Sequence, residues 1–162
     1  MCLLSCGGFQ ADQEMVVYHE PTVDVLERTN VLLIETENQE IEDFIERYGW
    51  QMFDTGTGLR VDIYRRGDGE SVLPGHVAVI DYRVFLLNGE MIYSSEEDGL
   101  KQFRIGQGGV ESGLEEGILL LRKGDKARFI IPSHLAHGLP GDGYRIPQLA
   151  TIIYDLELLD LL

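Results

Sequence analysis

Residues 76–87 read as a long strand: Ala78, Ile80, Tyr82, Val84 and Leu86 share one face, while Asp81 and Arg83 mark the other. Asn88-Gly89 follows, and Glu90 to Ser95 returns with strand-forming residues. A period of two means a strand with one buried face, and Asn-Gly between two such runs is the strongest short hairpin signal. The middle of the chain is thereby committed to antiparallel sheet. More of the same flanks it. Leu59, Val61 and Ile63 alternate with Arg60, Asp62 and Tyr64, and Gln102–Ile105 and Ala127–Ile131 read as short strands. Thr151–Leu159 reads as the last strand, with Ala150, Ile152, Tyr154, Leu156 and Leu158 on one face.

Two stretches break this rhythm. Ser112-Gly113-Leu114-Glu115 has the form of a capping box. Leu114, Ile118 and Leu121 then fall at helical spacing, with Gly124 where a C-terminal cap belongs. Upstream, Ile41, Phe44, Ile45 and Tyr48 form an apolar stripe on a helix over Glu35–Trp50 that Gly49 ends. Val31–Ile34 is a short apolar run, either a strand or a helix start, and residues 7–30 read as a tether. The fold class expected is α+β: a twisted antiparallel sheet of five or six strands wrapped around one short helix, preceded by an N-terminal helical extension. The divisions expected are residues 1–30 as lipoprotein signal and tether, 31–55 as an acidic helical extension, and 56–162 as the sheet domain.

Charge limits the partners. The 162 residues carry 28 acids and 13 bases, a net of −15. Nucleic acid is excluded as a general partner, because each phosphate contact needs a scarce Lys or Arg, and an anionic membrane surface repels the chain for the same reason. The acidic helix face, Glu40, Glu42, Asp43 and Glu46, reads as a solvated surface, with a partner surface as its alternative. The two cysteines, Cys2 and Cys6, both lie at the N-terminus. Leu3-Leu4-Ser5-Cys6 has the form of a bacterial lipobox, an apolar pair and a small residue before a lipidated cysteine. The expectation is an incomplete signal with Cys6 as the first mature residue, and membrane contact only through that lipid anchor.

The search for reactive groups comes back empty. Gly106-Gln107-Gly108-Gly109 precedes a helix, but a dinucleotide fingerprint needs glycine where Glu111 stands, and Glu115 and Glu116 would repel a phosphate there. His134 and His137 lack a nearby third ligand, and Ser94 and Ser95 lack the context of a nucleophile. No cofactor and no metal are expected.

What remains is a spaced set: Asp81-Tyr82, Gly89, Ser94-Ser95, Phe103-x-Ile105-Gly106, Val110-Glu-Ser-Gly113-Leu-Glu-Glu-Gly117, Lys123-Gly124, Ile131-Pro132-Ser133, Ala136-His-Gly138, Ile146-Pro147 and Tyr154-Asp-Leu-Glu-Leu158. Together these residues resemble the FKBP-type peptidyl-prolyl cis–trans isomerases, over roughly the second half of the chain. With the lipobox-like start they also resemble the envelope lipoproteins of that family in Bacteroidetes-type bacteria, the gliding-motility-associated group. The resemblance implies a sheet curled on one helix and a proline pocket between them. It assigns Tyr82, Leu114 and Tyr154 to the pocket, with Ile92, Phe103, Val110 and Ile146 as further walls. It gives Glu111 the position whose backbone N–H binds a ligand carbonyl, and it makes Tyr93 and His137 donors to the substrate carbonyl. Several positions depart from the family pattern. Leu114 stands for the usual tryptophan, Ile92-Tyr93 for Phe-Asp, Lys101 for the first Phe of Phe-x-Phe, and His137 for tyrosine.

The chemistry implied needs no nucleophile. Rotation about an X-Pro bond must break amide resonance, over a barrier of roughly 18–20 kcal/mol, and the twisted amide is less dipolar than the planar one. An apolar hollow therefore favours the twisted form. The partners implied are proline-containing unfolded or nascent polypeptides and macrolide-type inhibitors, met by a monomer in the cell envelope, with the cytoplasm as the other location. A catalytically weak binding module or chaperone, or an accessory subunit of a surface apparatus, is the alternative role.

Overall fold

The computed structural model describes residues 23–162; Cys2, Cys6 and the lipobox-like segment lie outside the described residues. The element order is α1 (Val23–Tyr48), β1 (Phe53–Asp54), β2 (Arg60–Arg65), β3 (Val77–Leu86), β4 (Met91–Ser94), α2 (Ser95–Asp98), β5 (Lys101–Arg104), α3 (Ser112–Ile118), β6 (Lys126–Ile131) and β7 (Ile152–Leu161). All strand pairs are antiparallel. They run β1-β2-β6-β7-β3-β4, and β5 shares with β4 the remaining edge of β3. Asn88-Gly89 turns β3 into β4 as the sequence requires, with Gly89 at φ 87°. The two-residue β1 adds an edge to the expected five or six strands.

The sheet buries both faces where its central strands run. Phe129, Ile131, Ile152 and Tyr154 belong to one core with Leu114 and Ile118 of α3. Their neighbours Ile130 and Ile153 belong to a second core with Ile41 and Phe44 of α1. Alternate residues point to opposite faces, so α3 and α1 lie on opposite sides of the sheet. This explains the continuous apolar runs Phe129–Ile131 and Ile152–Tyr154, which strict alternation does not describe. Gly117 lets α3 settle onto β6: a Cβ there would lie 2.6 Å from the Phe129 ring.

Three local expectations are corrected. The helix α1 starts at Val23, inside the expected tether, and Val31–Ile34 is part of it. Its first half has no sheet beneath it: Val23, Leu26, Leu32 and Ile34 are all exposed. No buried stripe was there to give the pattern away. The capping box does not form. Glu111 is the N-cap of α3 and gives no side-chain cap; Ser112 Oγ donates to the Leu135 carbonyl, and Glu115 accepts from the Gly106 and Gly108 amides. The helix α3 ends at Ile118, not at Gly124. Leu120 and Leu121 close it with i→i−3 bonds to Gly117 and Ile118, and Gly124, at φ 90°, donates instead to the Leu158 carbonyl.

Two polar contacts hold α1 in place. Arg60, placed on the polar face of its strand by the alternation, is buried and pairs with Glu42 at 2.9 Å and Asp54 at 2.8 Å. Glu37 accepts from the Ser133 amide at 2.6 Å and from Thr151 Oγ1 at 2.6 Å.

Candidate functional site

Six separate segments carry the residues expected at the site. Strand β3 supplies Tyr82, β4 Ile92 and Tyr93, β5 Phe103, the start of α3 Val110, Glu111 and Leu114, the loop 138–148 Ile146, and β7 Tyr154. Leu114 and Tyr154 are 0% and 1% exposed, and Tyr82, Ile92, Phe103 and Ile146 are also buried. All six belong to one core cluster, with Tyr93 and Val110 packed at its margin. The register Val84↔Tyr154 places Tyr82 and Tyr154 on the same face, with ring centroids 6.0 Å apart.

The surroundings of these residues are not simply apolar, which corrects the expectation. In β5, Lys101 and Phe103 share the inward face by the two-residue period. The Lys101 ammonium lies 5.1 Å from the Tyr82 ring centroid and 5.2 Å from that of Tyr154, and it donates to the Tyr154 hydroxyl at 2.7 Å. That hydroxyl donates in turn to Glu111 Oε1 at 3.0 Å. Glu111 Oε2 is 3.8 Å from Lys101 Nζ. The Glu111 side chain is 8% exposed, and its Oε2 accepts no hydrogen bond among the described residues. The chain's own ammonium and carboxylate therefore lie among the residues expected to wall the proline pocket. The inward phase of Lys101 was readable from its spacing to Phe103; its ion partner, on another element, was not.

The expected carbonyl donors are engaged elsewhere. His137 Nε2 lies 3.2 Å from Glu111 Oε1. The Tyr93 hydroxyl donates to Asp142. Asp142 also accepts from the amides of Tyr144 at 2.8 Å and Ile146 at 2.7 Å, which fixes the loop that carries Ile146. Arg145 lies over the Tyr93 ring and donates to the Ile92 carbonyl at 2.6 Å, tying this loop to β4. The turn requires glycine at 141, where φ is 67° and a Cβ would lie 2.3 Å from the Ile146 carbonyl oxygen. The sequence analysis did not single out Asp142 or Arg145, whose partners Tyr93 and Ile92 lie on β4.

Burial, and then the negative charge of Glu111, push the Tyr154 phenol well above its ordinary range. Burial, Asp98 and Glu111 raise that of Tyr82. Burial and the bond to Asp142 raise Tyr93 to about 12. All three phenols are therefore neutral at physiological pH. Burial pushes the Asp142 carboxyl up, but the hydrogen bonds from Tyr93 and the loop amides outweigh it and hold the group at about 2. A carboxyl depressed on folding contributes stability above its unfolded value, and that contribution is lost as pH falls through the folded one. Asp142→Asn is accordingly expected to flatten the acid dependence of thermal stability between pH 4 and pH 2. Acid profiles of the two proteins that run parallel would exclude this role.

A cavity of about 580 Å³ lies elsewhere, between α1 and the β3–β4 turn, bordered by Leu33, Ile34, Leu87 and Leu149. It shares no residue with the hollow.

Residues 69–159 match the family described as FKBP-type peptidyl-prolyl cis-trans isomerase. A probable FKBP-type peptidyl-prolyl cis-trans isomerase of Haemophilus influenzae is 36% identical over 107 residues, which are 65% of this chain and 44% of that protein. A mouse protein named inactive peptidyl-prolyl cis-trans isomerase FKBP6 is 31% identical over 121 residues, 72% of this chain and 37% of the relative. The chain thus matches less than half the length of either. The crystal structure of FkpA from Escherichia coli superposes with a TM-score of 0.67 over 88% of this chain and 74% of that one; at 24% identity the likeness shows the fold.

Proposed function

The chain belongs to the FKBP-type peptidyl-prolyl cis-trans isomerase family, and from that membership we propose that it accelerates rotation about X-Pro bonds in the hollow walled by Tyr82, Leu114 and Tyr154. The observation that supports the reading is the convergence of those three residues with Ile92, Phe103 and Ile146 in a single cluster, beside a backbone amide, that of Glu111, without a hydrogen-bond partner among the described residues. A proline ring entering past Lys101 meets two aromatic rings and Leu114. The amide bond before it leaves water, where its planar, dipolar form is best solvated, so the twisted form becomes relatively more stable. The Glu111 N–H is placed to hold a substrate carbonyl while the bond turns.

Entry requires Lys101 to move. Its side chain is 26% exposed, so it can swing outward while β5 stays paired to β3. Macrolide-type inhibitors, bound in the same hollow, would have to displace it too. The polypeptides served are proline-containing unfolded or nascent chains of the cell envelope, with Cys6 as the lipid anchor; the mass of the native N-terminus checks the anchor.

A second reading is favoured by one observation, the Lys101–Glu111 pair inside the hollow. It is a domain that holds proline-containing segments without useful turnover. Isomerisation of a short proline peptide, and refolding of a protein limited by a prolyl bond, separate the two. The isomerase reading expects both rates to rise above the uncatalysed ones in proportion to added chain. Rates equal to the uncatalysed ones in both assays leave only the holding role.

A further inference from the structure

The chain's own lysine shows what the walls of the hollow recognise. Its ammonium sits over two aromatic faces, 5.1 and 5.2 Å from their centroids, and 3.8 Å from a carboxylate that is 8% exposed. Aromatic faces attract cations, and a buried carboxylate requires a counter-charge or hydrogen-bond donors. Glu111 Oε1 accepts from the Tyr154 hydroxyl and lies 3.2 Å from His137 Nε2, whereas Oε2 has no donor among the described residues. A substrate that brings only apolar surface must push Lys101 aside and leave Glu111 facing it without the ammonium. A substrate that brings its own cation does not.

We propose that Glu111 selects polypeptides carrying a lysine or arginine next to the proline: the proline ring takes the faces of Tyr82 and Tyr154, and the neighbouring cation takes the place beside the carboxylate that Lys101 vacates. Asp98, whose charge reaches the Tyr82 and Tyr93 phenols, and Asp142 add negative charge beside the hollow. Arg145 opposes them from above the Tyr93 ring, outside the Tyr82–Tyr154 pair. A glutamate next to proline would face Glu111 across a poorly screened space and is disfavoured. The inference rests on the hollow being the prolyl site and deepens that reading; it concerns which chains enter, not how fast they turn.

The test is titration of the full chain and its Glu111→Gln variant with blocked peptides Ala-Xaa-Pro-Phe, where Xaa is Lys, Ala or Glu, and with Ala-Pro-Xaa-Phe in the same three forms. Turnover is measured in parallel. In at least one series the Lys peptide is expected to bind roughly tenfold more tightly than the Ala peptide, and the Glu peptide more weakly than either. The order should persist in 0.5 M salt, because a buried partner is poorly screened, and shrink to less than about twofold in Glu111→Gln, where the carboxylate charge is gone. Equal binding of the three Xaa forms in both series overturns the inference. So does a preference that survives in Glu111→Gln, which would report only the net negative charge of the whole chain. Binding with the expected order but no turnover supports the inference and removes the isomerase reading. No binding of any peptide removes both.

Discussion

The double variant Lys101→Met/Glu111→Gln is expected to raise kcat/KM on an Ala-Pro peptide about tenfold over the native chain, with thermal stability nearly unchanged. In the native chain an apolar substrate must lift the ammonium off the rings of Tyr82 and Tyr154 and break its bond to the Tyr154 hydroxyl. A cation–π contact is worth about 0.5–2 kcal/mol and a net hydrogen bond about 0.5–1.5 kcal/mol. A tenfold change needs only about 1.4 kcal/mol. Methionine keeps the length and the ring contacts without the charge, and glutamine still accepts from Tyr154. The single variant Lys101→Met behaves differently. It leaves the Glu111 carboxylate with only the Tyr154 hydroxyl and His137 beside it and is expected to lose about 1 kcal/mol of stability. A folded double variant with native or lower turnover would show that the pair is no obstacle to the substrate.

Leu114→Ala is expected to lower stability by about 2–5 kcal/mol, the range for deleting a fully buried leucine. Leu114 is 0% exposed and packs α3 against the sheet, so little can collapse into the space it leaves. In the proposed site it would be the pocket floor, and turnover per folded molecule should then fall as well. Urea unfolding and peptide turnover, measured on the same preparation, separate the two effects. A variant that loses stability but keeps full turnover per folded molecule would remove Leu114 from the site while leaving it in the core.

The architecture was legible wherever one face of an element is buried and the other wet. Ala78, Ile80, Tyr82 and Val84, and likewise Leu114, Ile118 and Leu121, are buried, Leu86 is partly buried, and Asn88-Gly89 is a turn of the structure. Gly49 ends α1 at φ 63°, as its position after Tyr48 suggested. Legibility failed in two settings. The first half of α1 has no partner face, so its residues carry no period to read. Arg60, Glu37, Lys101 and Glu111 are charged residues whose partners lie on other elements. A lysine or glutamate in a sequence reads as solvated unless something across the fold claims it, and nothing local announces the claim. The apolar residues proposed as the walls of the site were expected from spacing and family likeness, while the ion pair beside them became visible only in three dimensions.

Uncatalysed prolyl isomerisation takes tens to hundreds of seconds, so a short Ala-Pro peptide alone gives no exchange cross-peaks between its cis and trans NMR signals at mixing times below one second. With a few per cent of the full chain added, cross-peaks should emerge, intensify in Lys101→Met/Glu111→Gln, and be accompanied at higher chain concentration by a shift of the Glu111 amide signal. A peptide that leaves the Glu111 amide and the Tyr82 and Tyr154 rings unmoved, with no cross-peaks at any chain concentration, would contradict a prolyl site in this hollow.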